Sequence, residues 1–122
     1  MSELGTDTSG NNPIDGTPSN PYNARHYCGG SSSGSTYAIS AGLIPLSVSA
    51  DAGGSIRIPA SLCGIFGLKP THNRVSRSPS PNGASSNGVT GPMATNMIDL
   101  EMGFQLMAIP DLSNPQNSCC KT

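Results

Sequence analysis

The clearest hydrophobic pattern in this chain is the apolar face of an amphipathic helix near its C-terminus. Four large apolar residues recur there at spacings of three, four and three positions: Met97, Leu100, Phe104 and Met107. Asn96 has a favourable N-cap side chain, and Pro110 cannot continue a helix. The pattern therefore predicts a helix over residues 96–109 whose apolar face belongs to the hydrophobic core, which is a more common use of such a face than ligand binding.

Shorter elements are predicted between residues 29 and 71. Residues 35–42 have the small side chains of a tightly packed helix that ends at a glycine cap. Residues 46–50 alternate apolar and serine side chains, as a strand does, and residues 64–68 predict a second, buried strand. A glycine-containing turn at residues 51–54 separates the first strand from another short helix.

The remaining segments are rich in turn-forming residues. Residues 1–28 contain closely spaced prolines and glycines and predict no regular element of useful length. Residues 72–92 are interpreted as a loop because prolines and serines interrupt any hydrophobic period, and the polar tail after Asp111 is expected to be loose. The chain is therefore divided into a turn-rich N-terminal segment (1–28), a partial domain (29–110) and a polar tail (111–122).

Composition indicates a core that is small for the length of the chain. Gly, Pro and Ser make up 45 of the 122 residues, whereas Leu, Ile, Val and Phe make up only 21. That apolar share is typical of disordered chains, but such chains also carry a high net charge, and the formal charge here is −1. The sequence therefore predicts marginal stability for the isolated chain, with small side chains that need packing partners from outside it.

Charge and hydropathy exclude several classes of function. Six scattered Lys and Arg residues form no basic patch for nucleic acid, and no apolar run reaches the length of a membrane span. The N-terminus lacks the pattern of a signal peptide, so the cysteines are interpreted as reduced thiols of a cytoplasmic protein. Their spacing does not fit a zinc site, and no metal is expected; these residues are Cys28, Cys63, Cys119 and Cys120.

The Gly/Ser segment 29–36 (GGSSSGST) permits three interpretations. The first is a flexible linker. The second is a phosphate-binding loop, because Gly29 and Gly34 have the P-loop spacing, although Ser35 replaces the required lysine and no apolar strand leads into the loop. The third combines this segment with a second Gly/Ser cluster at residues 51–57 (DAGGSIR).

A serine that follows consecutive glycines is useful in acyl-transfer chemistry. Glycines allow successive backbone amides to converge on one point, where they stabilise the oxyanion of a tetrahedral intermediate. The adjacent serine hydroxyl then attacks the carbonyl carbon, provided that a base accepts its proton. No G-x-S-x-G elbow is present, so the α/β-hydrolase arrangement is not indicated.

The stretch from Gly29 to Thr71 (GGSSSGSTYAISAGLIPLSVSADAGGSIRIPASLCGIFGLKPT) resembles the signature of the amidase signature family, whose members are serine hydrolases of amides. The two Gly/Ser clusters, SIRIPAS and GLKPT carry the resemblance. It implies an α/β fold, a mixed β-sheet core surrounded by helices, of which this chain is one central slice. It also implies a small-molecule amide substrate and no metal or organic cofactor, and it leaves the oligomeric state open.

The resemblance implies roles for individual residues. Ser55 matches the nucleophile that forms the acyl-enzyme, and Ser31 matches the bridging serine, which family members hold through a cis peptide bond. The other matched positions are the oxyanion-hole amides of Ala52, Gly53, Gly54 and Ser55 and the supporting residues Ser32, Asp51 and Arg57. The family usually has Gly-Thr where Ser49 and Ala50 stand, so Ala50 lacks a hydroxyl that supports the loop.

The family's triad also needs a neutral lysine as the base, and no lysine of this chain matches it. Lys69 lies in the GLKPT motif and Lys121 lies in the tail. Neither His26 nor His72 matches a catalytic position. The predicted function is hydrolysis of a carboxylic amide through a serine acyl-enzyme, and the alternative is an inactive amidase remnant without its base. A phosphate- or nucleotide-binding module at residues 29–36 is a third hypothesis.

Overall fold

The computed structural model describes residues 1–78, 87–114 and 117. Within them it combines helices with two small β-sheets, which agrees with the predicted α/β class. In chain order the elements are a 3-10 turn (Glu3–Gly5), β1 (Ser19–Asn20), β2 (Asn23–Tyr27), α1 (Ser33–Ser40), β3 (Leu46–Asp51), α2 (Arg57–Leu62), β4 (Phe66–Gly67), β5 (Val89–Ala94) and α3 (Met97–Met107).

A three-stranded antiparallel sheet in the order β3-β5-β4 forms the centre of the fold. β3 pairs with β5 along its whole length, from Leu46 opposite Ala94 to Asp51 opposite Val89. β4 pairs with the C-terminal end of β5 only. β3 is therefore an edge strand of this sheet within the described residues.

Helices cover both faces of this sheet. The Thr36 hydroxyl of α1 lies 3.9 Å from the sulfur of Met93, whereas Gly103 of α3 packs against Pro92. Since consecutive residues of a strand point to opposite faces, α1 and α3 lie on opposite sides of β5. α2 lies on the same side as α1, where the buried core consists of Ile39, Ile56, Ala60 and Met93.

The helices follow the sequence prediction closely. α1 begins two residues earlier than expected and is followed by Gly42, whose φ of +73° is suited to glycine. The Asn96 side chain caps α3 by accepting a 2.9 Å hydrogen bond from the Asp99 amide. Such a cap contributes about 1 kcal/mol to helix stability.

The apolar face predicted for α3 is only partly in the core. Leu100 is buried, but Met97 is more than half exposed. A second apolar row on the same helix faces solvent and includes Ile98, which is 80% exposed, and Leu106. α3 thus has two apolar faces, of which the described residues cover only one.

The loop predicted for residues 72–92 is wrong at its C-terminal end, because residues 89–92 belong to β5, the central strand. Proline is tolerated in this strand since pairing with β4 ends at Gly67 opposite Met93. Beyond that point the Pro92 carbonyl accepts a hydrogen bond from the Leu68 amide. Pro92 has no N–H to donate, but β4 has no paired residue opposite it, so no hydrogen bond of the sheet is lost there. The sequence alone does not show that Pro92 lies where β4 has ended.

The N-terminal segment also contains a regular element that the sequence analysis missed. β1 and β2 form an antiparallel hairpin, and the Asn20 side chain at its turn donates to the Leu62 carbonyl at 2.8 Å. The same amide contacts the Cys63 sulfur at 3.5 Å. These contacts attach the N-terminal segment to the end of α2, so it packs on the partial domain.

The described part of the C-terminal tail is not loose, contrary to expectation. Asn117 is almost fully buried, and its side-chain amide donates to the carbonyls of Asn73 and Arg74 at 3.0 and 3.3 Å. Asp111 accepts a 2.6 Å hydrogen bond from Ser76. No helix in residues 1–78, 87–114 and 117 is long and apolar enough to cross a membrane.

Candidate active site

A cavity of about 770 Å³ lies between the two Gly/Ser clusters. The serines at which the clusters meet it are Ser31 and Ser32 from the first cluster and Ser55 from the second. All three residues are largely buried, and their hydroxyls form no hydrogen bond with the described residues. The fold therefore places the predicted nucleophile and the predicted bridging serine in the wall of one cavity.

The first cluster is a packed loop that leads into α1. Residues 28–33 are all buried, and the peptide bond between Gly30 and Ser31 is cis. The Ser32 carbonyl accepts two hydrogen bonds from Thr36, one from its amide and one from its hydroxyl. The interpretation of this segment as a flexible linker is therefore wrong.

Close backbone contact with the N-terminal segment positions this loop. A Cβ atom at Gly30 would lie 2.5 Å from the backbone nitrogen of Gly10, so only glycine fits there. The Ser2 amide donates to the Ser31 carbonyl at 3.2 Å. Gly5 lies beside the Ser31 hydroxyl, since a Cβ added to it would be 3.5 Å from that oxygen. The turn at residues 3–5 therefore forms the wall of the cavity next to Ser31.

The second cluster is organised around the buried carboxylate of Asp51 at the end of β3. Its two oxygens accept hydrogen bonds from the backbone amides of Gly54, Ile56 and Arg57 at 2.8, 3.1 and 3.3 Å. The Arg57 guanidinium donates two more, from Nε and Nη2, each at 3.0 Å. Five hydrogen bonds to one carboxylate thus hold the loop that carries Ser55.

These contacts determine the charge of Asp51. Burial alone would raise the pKa of this carboxyl. The hydrogen bonds from the Arg57 guanidinium and the three backbone amides lower it by a larger amount, so the pKa falls from 3.8 to about 2. Asp51 is therefore ionised at neutral pH. Arg57 is 53% exposed on its side chain, so the pair is buried on the carboxylate side only.

The same contacts engage one of the four amides predicted for the oxyanion hole. The Gly54 amide donates to Asp51, so it does not serve as an oxyanion donor in this structure. The amides of Ala52, Gly53 and Ser55 have no acceptor among the described residues, and all three residues line the cavity. Three of the four predicted donors therefore stay available to a ligand.

The described residues do not supply a base that could accept the Ser55 proton. None of the described lysines and histidines lines the cavity: Lys69, His26 and His72 all lie elsewhere. Lys121 lies outside the described residues. The charged residues on the wall besides Asp51 are Asp7 and Arg77.

Two walls of the cavity carry residues that sequence reasoning did not connect with the site. Residues 4–8 form one wall, and nothing in their sequence marks them as functional. Val48 and Ala50 form another, because β3 turns its apolar side chains outward and buries Ser49 instead. α1 covers the Ser49 face of β3, whereas α3 covers the opposite face only near Leu46, which leaves Val48 60% exposed.

The two cysteines among the described residues do not line the cavity. Cys28 and Cys63 are fully buried free thiols, and the Cys63 sulfur lies 3.7 Å from the Cys28 carbonyl. Burial, together with the neighbouring Cys28 thiol, raises the pKa of Cys63 to about 12. In the part of the chain that the structure describes, no group of three or more His, Cys, Asp or Glu side chains is arranged to hold a metal.

Comparison with known proteins shows which family the sequence matches. The family model described as Amidase matches residues 1–122. The chain is 47% identical over 105 residues to a subunit of glutamyl-tRNA(Gln) amidotransferase from Synechococcus sp. (strain CC9605), and the match covers 86% of this chain and 21% of that protein. It is 44% identical over 99 residues to fatty acid amide hydrolase of Arabidopsis thaliana, covering 81% of this chain and 16% of that protein.

Solved structures of amidase-family proteins superpose on this chain. A structure described as a vestigial protein complex that reveals the origins of an s-triazine catabolic enzyme superposes with a TM-score of 0.90 at 39% identity, over 100% of this chain and 26% of that one. An amidase family protein from Bacillus anthracis str. Ames superposes with a TM-score of 0.87 at 31% identity, over 100% of this chain and 25% of that one. The chain thus spans about a sixth to a quarter of the length of these proteins.

Proposed function

Because the chain belongs to the amidase family, we propose that it carries the nucleophile-bearing part of an amide hydrolase, with Ser55 as the nucleophile. The observation that supports this most strongly is the convergence of Ser55, Ser31 and unpaired backbone amides on one cavity. The substrate is a small carboxylic amide. The names of the relatives mention glutamyl-tRNA(Gln) in one case and fatty acid amides in another, and they do not choose one amide for this chain.

The proposed reaction divides the work among these groups. The Ser55 Oγ attacks the carbonyl carbon, and the oxyanion accepts hydrogen bonds from the amides of Ala52, Gly53 and Ser55. Ser31 relays the Ser55 proton towards a base and returns one to the leaving nitrogen. The C–N bond breaks, ammonia or an amine leaves, and water then hydrolyses the acyl-enzyme. Ser32, Asp51 and Arg57 hold the two loops in place.

The base that accepts the Ser55 proton is not among the residues that line the cavity. No lysine or histidine of the described residues lines the cavity, so the hydrolase needs a base that these residues do not provide. The same observation favours a second candidate, a chain of the amidase fold that is catalytically inactive. The phosphate-binding hypothesis has less support, because the positions of the first cluster that face the cavity are serines and, among the described residues, no lysine lies there.

A fluorophosphonate probe distinguishes the two candidates, because it modifies a serine only when that serine is activated as a nucleophile. When the base is supplied, we expect one adduct on the wild-type chain, none on Ser55→Ala, and wild-type labelling of Ser61→Ala, a matched control on the exposed side of α2. Labelling that survives Ser55→Ala contradicts the nucleophile assignment. Absence of labelling in the folded wild-type chain when the base is supplied identifies the inactive alternative instead.

Location and partners belong to the same proposal. We place the protein in the cytoplasm, where a reducing environment keeps thiols unpaired, and the free thiols of Cys28 and Cys63 agree with this. The only partner that the proposal requires is the amide itself. Neither nucleic acid nor a membrane enters the reaction.

A further inference from the structure

The interface between α1 and the buried side of β3 contains hydroxyl groups that the described residues leave unpaired. Among these residues, four buried side-chain polar atoms have no hydrogen-bond partner, and three of them are the Oγ atoms of Ser33, Ser47 and Ser49. An unpaired buried hydroxyl costs free energy, and folded proteins pair the large majority of such groups with protein atoms or with ordered water. Three such hydroxyls at one interface therefore indicate a bound molecule that pairs them.

The start of α1 lies beside the end of β3. Ser32 and Ser35, from the first turn of the helix, line the same cavity as residues 48–51 of the strand. Ser33 lies between these two helix positions and is fully buried, and Ser49 is only 7% exposed. The hydroxyls of Ser33 and Ser49 thus lie at the same end of the interface.

The next turn of α1 fixes the direction in which the helix and the strand pass each other. The Thr36 hydroxyl lies 3.9 Å from the sulfur of Met93, and Met93 pairs with Ser47 of β3. Ser33 precedes Thr36 by one turn, whereas Ser49 follows Ser47 by two residues on the same face of the strand. The helix and the strand therefore run in opposite directions, which places Ser33 nearer to Ser49 than to Ser47.

The chemistry of this interface selects a small, uncharged ligand. The three hydroxyls are neutral, and Asp51, two residues beyond Ser49, already accepts hydrogen bonds from three backbone amides and the Arg57 guanidinium. An ion would lose its hydration there without gaining an opposite charge. A water molecule can both donate and accept hydrogen bonds, as a serine hydroxyl does, and it fits between side chains that are smaller than the usual aliphatic residues of a core.

We propose that the α1–β3 interface is an internal hydration site in which a water molecule bridges the hydroxyls of Ser33 and Ser49. The bridge joins the helix that follows Ser31 to the strand that ends at Asp51, so it links the two Gly/Ser clusters. The site does not depend on the proposed function, because it requires no reaction at Ser55. It also lies inside the described residues, since both serines are buried by them.

A double-mutant cycle on the full chain tests the bridge. Ser33→Ala and Ser49→Ala should each raise the unfolding equilibrium constant about three- to tenfold, because each removes a hydrogen bond to the water. The double variant should be no less stable than the less stable single variant, within about twofold, because the water leaves with the first hydroxyl. Effects of alanine on helix or strand propensity cancel in the cycle.

The matched control is a cycle of Ser33→Ala with Ser61→Ala. Ser61 is exposed on α2, and its hydroxyl donates to the Ile58 carbonyl at 2.9 Å, so it shares no partner with Ser33. The effects of these two substitutions should add.

Oxygen-17 relaxation dispersion of the solvent counts the water directly. This measurement detects long-lived internal water and is insensitive to the exchange of hydroxyl protons. The folded wild-type chain should show a dispersion that exceeds that of the Ser33→Ala, Ser49→Ala double variant by about one water molecule. Ser61→Ala should match the wild type.

The proposal is overturned if either substitution at Ser33 or Ser49 stabilises the chain, because the hydroxyl was then unpaired. It is also overturned if the effects of these two substitutions add, or if the double variant keeps the wild-type dispersion. Absence of dispersion from the folded wild-type chain contradicts it whether or not the variants fold. None of these outcomes depends on fluorophosphonate labelling.

Discussion

Arg57 holds the buried carboxylate of Asp51 through two side-chain hydrogen bonds of 3.0 Å, one to each carboxylate oxygen. Asp51 ends β3 and Arg57 begins α2, so this pair joins the strand to the helix across the loop that carries Ser55. The backbone amides of Gly54, Ile56 and Arg57 also donate to this carboxylate, so the Asp51 side chain alone holds the loop that carries Ser55. The order of the proposed active site therefore rests on Asp51 more than on any other single residue.

Asp51→Asn should lower the free energy of unfolding by about 2–3 kcal/mol. The amide keeps one acceptor oxygen but places an NH2 group against donors, so buried backbone amides lose their partner. Chemical denaturation measures the loss, and Asp15→Asn, at an exposed turn, is the control that should change stability by less than about 0.5 kcal/mol. Equal effects of the two substitutions would contradict the bracing role of Asp51.

Stability should fall in acid because the pKa of Asp51 is about 2 in the folded chain and 3.8 ordinarily. A lowered pKa means that the unfolded state binds the proton more readily, so the contribution is complete above about pH 5 and is lost as the pH falls through 4 towards 2. With Arg57 half exposed, the contribution is about 1–2 kcal/mol. Unfolding in urea at a series of pH values measures it. The difference between wild type and Asp51→Asn should shrink across this range, and a constant difference would refute the assignment.

Gly30→Ala should destabilise the chain by about 1–3 kcal/mol, because the new Cβ would lie 2.5 Å from the Gly10 backbone and one segment must move. Gly34→Ala is the matched control within the same Gly/Ser cluster. No atom lies within 4 Å of its added Cβ, and it sits in α1, so alanine should be neutral or stabilise by up to about 1 kcal/mol. Thermal unfolding of both variants tests the packing, and a stable Gly30→Ala chain would show that the contact is dispensable.

Arg74→Ala should weaken the end of α3. The Arg74 guanidinium donates to the Ala108 carbonyl at 2.7 Å, where the helix has lost its own donors, and it lies 5.7 Å from the centre of the Phe104 ring. Loss of both contacts should cost about 1–2 kcal/mol. Hydrogen exchange of the amides in the last turn of α3 measures the effect, with Arg25→Ala on exposed β2 as the control. Unchanged protection of that turn would contradict this role.

Cys28 and Cys63 should resist thiol reagents in the folded chain. Burial raises the pKa of both thiols, that of Cys63 to about 12, so very little thiolate is present at pH 8. In a chain carrying Cys119→Ser and Cys120→Ser, reaction with a disulfide reagent should be at least about 100-fold slower than after unfolding in urea. Fast reaction in the folded state would show that the thiols are accessible.

The parts of the fold that sequence predicted are those with a local physical cause. The α3 helix follows from its spacing and the Asn96 cap, and the α1 end follows from Gly42. Both features are determined by a few neighbouring residues. The residues of the two Gly/Ser clusters that meet at the cavity were singled out by the family resemblance and not by a local physical cause.

What sequence could not predict depends on contacts between distant segments. Pro92 is acceptable in β5 only because β4 stops beside it. The outward orientation of Val48 follows from pairing with β5 and from the buried end of β3, not from its own alternation. The use of the Gly54 amide by Asp51 likewise needs the folded loop. Each is a tertiary effect that overrides a local pattern.

Whether Ser55 is the nucleophile is decided by mapping the fluorophosphonate adduct by peptide mass spectrometry on the folded 122-residue chain. When the base is supplied, a single adduct at Ser55 is expected, with a rate that falls by at least about 100-fold in Ser31→Ala, because the relay of its proton is lost. An adduct on any other serine, or labelling of Ser55 that is indifferent to Ser31→Ala, would contradict it.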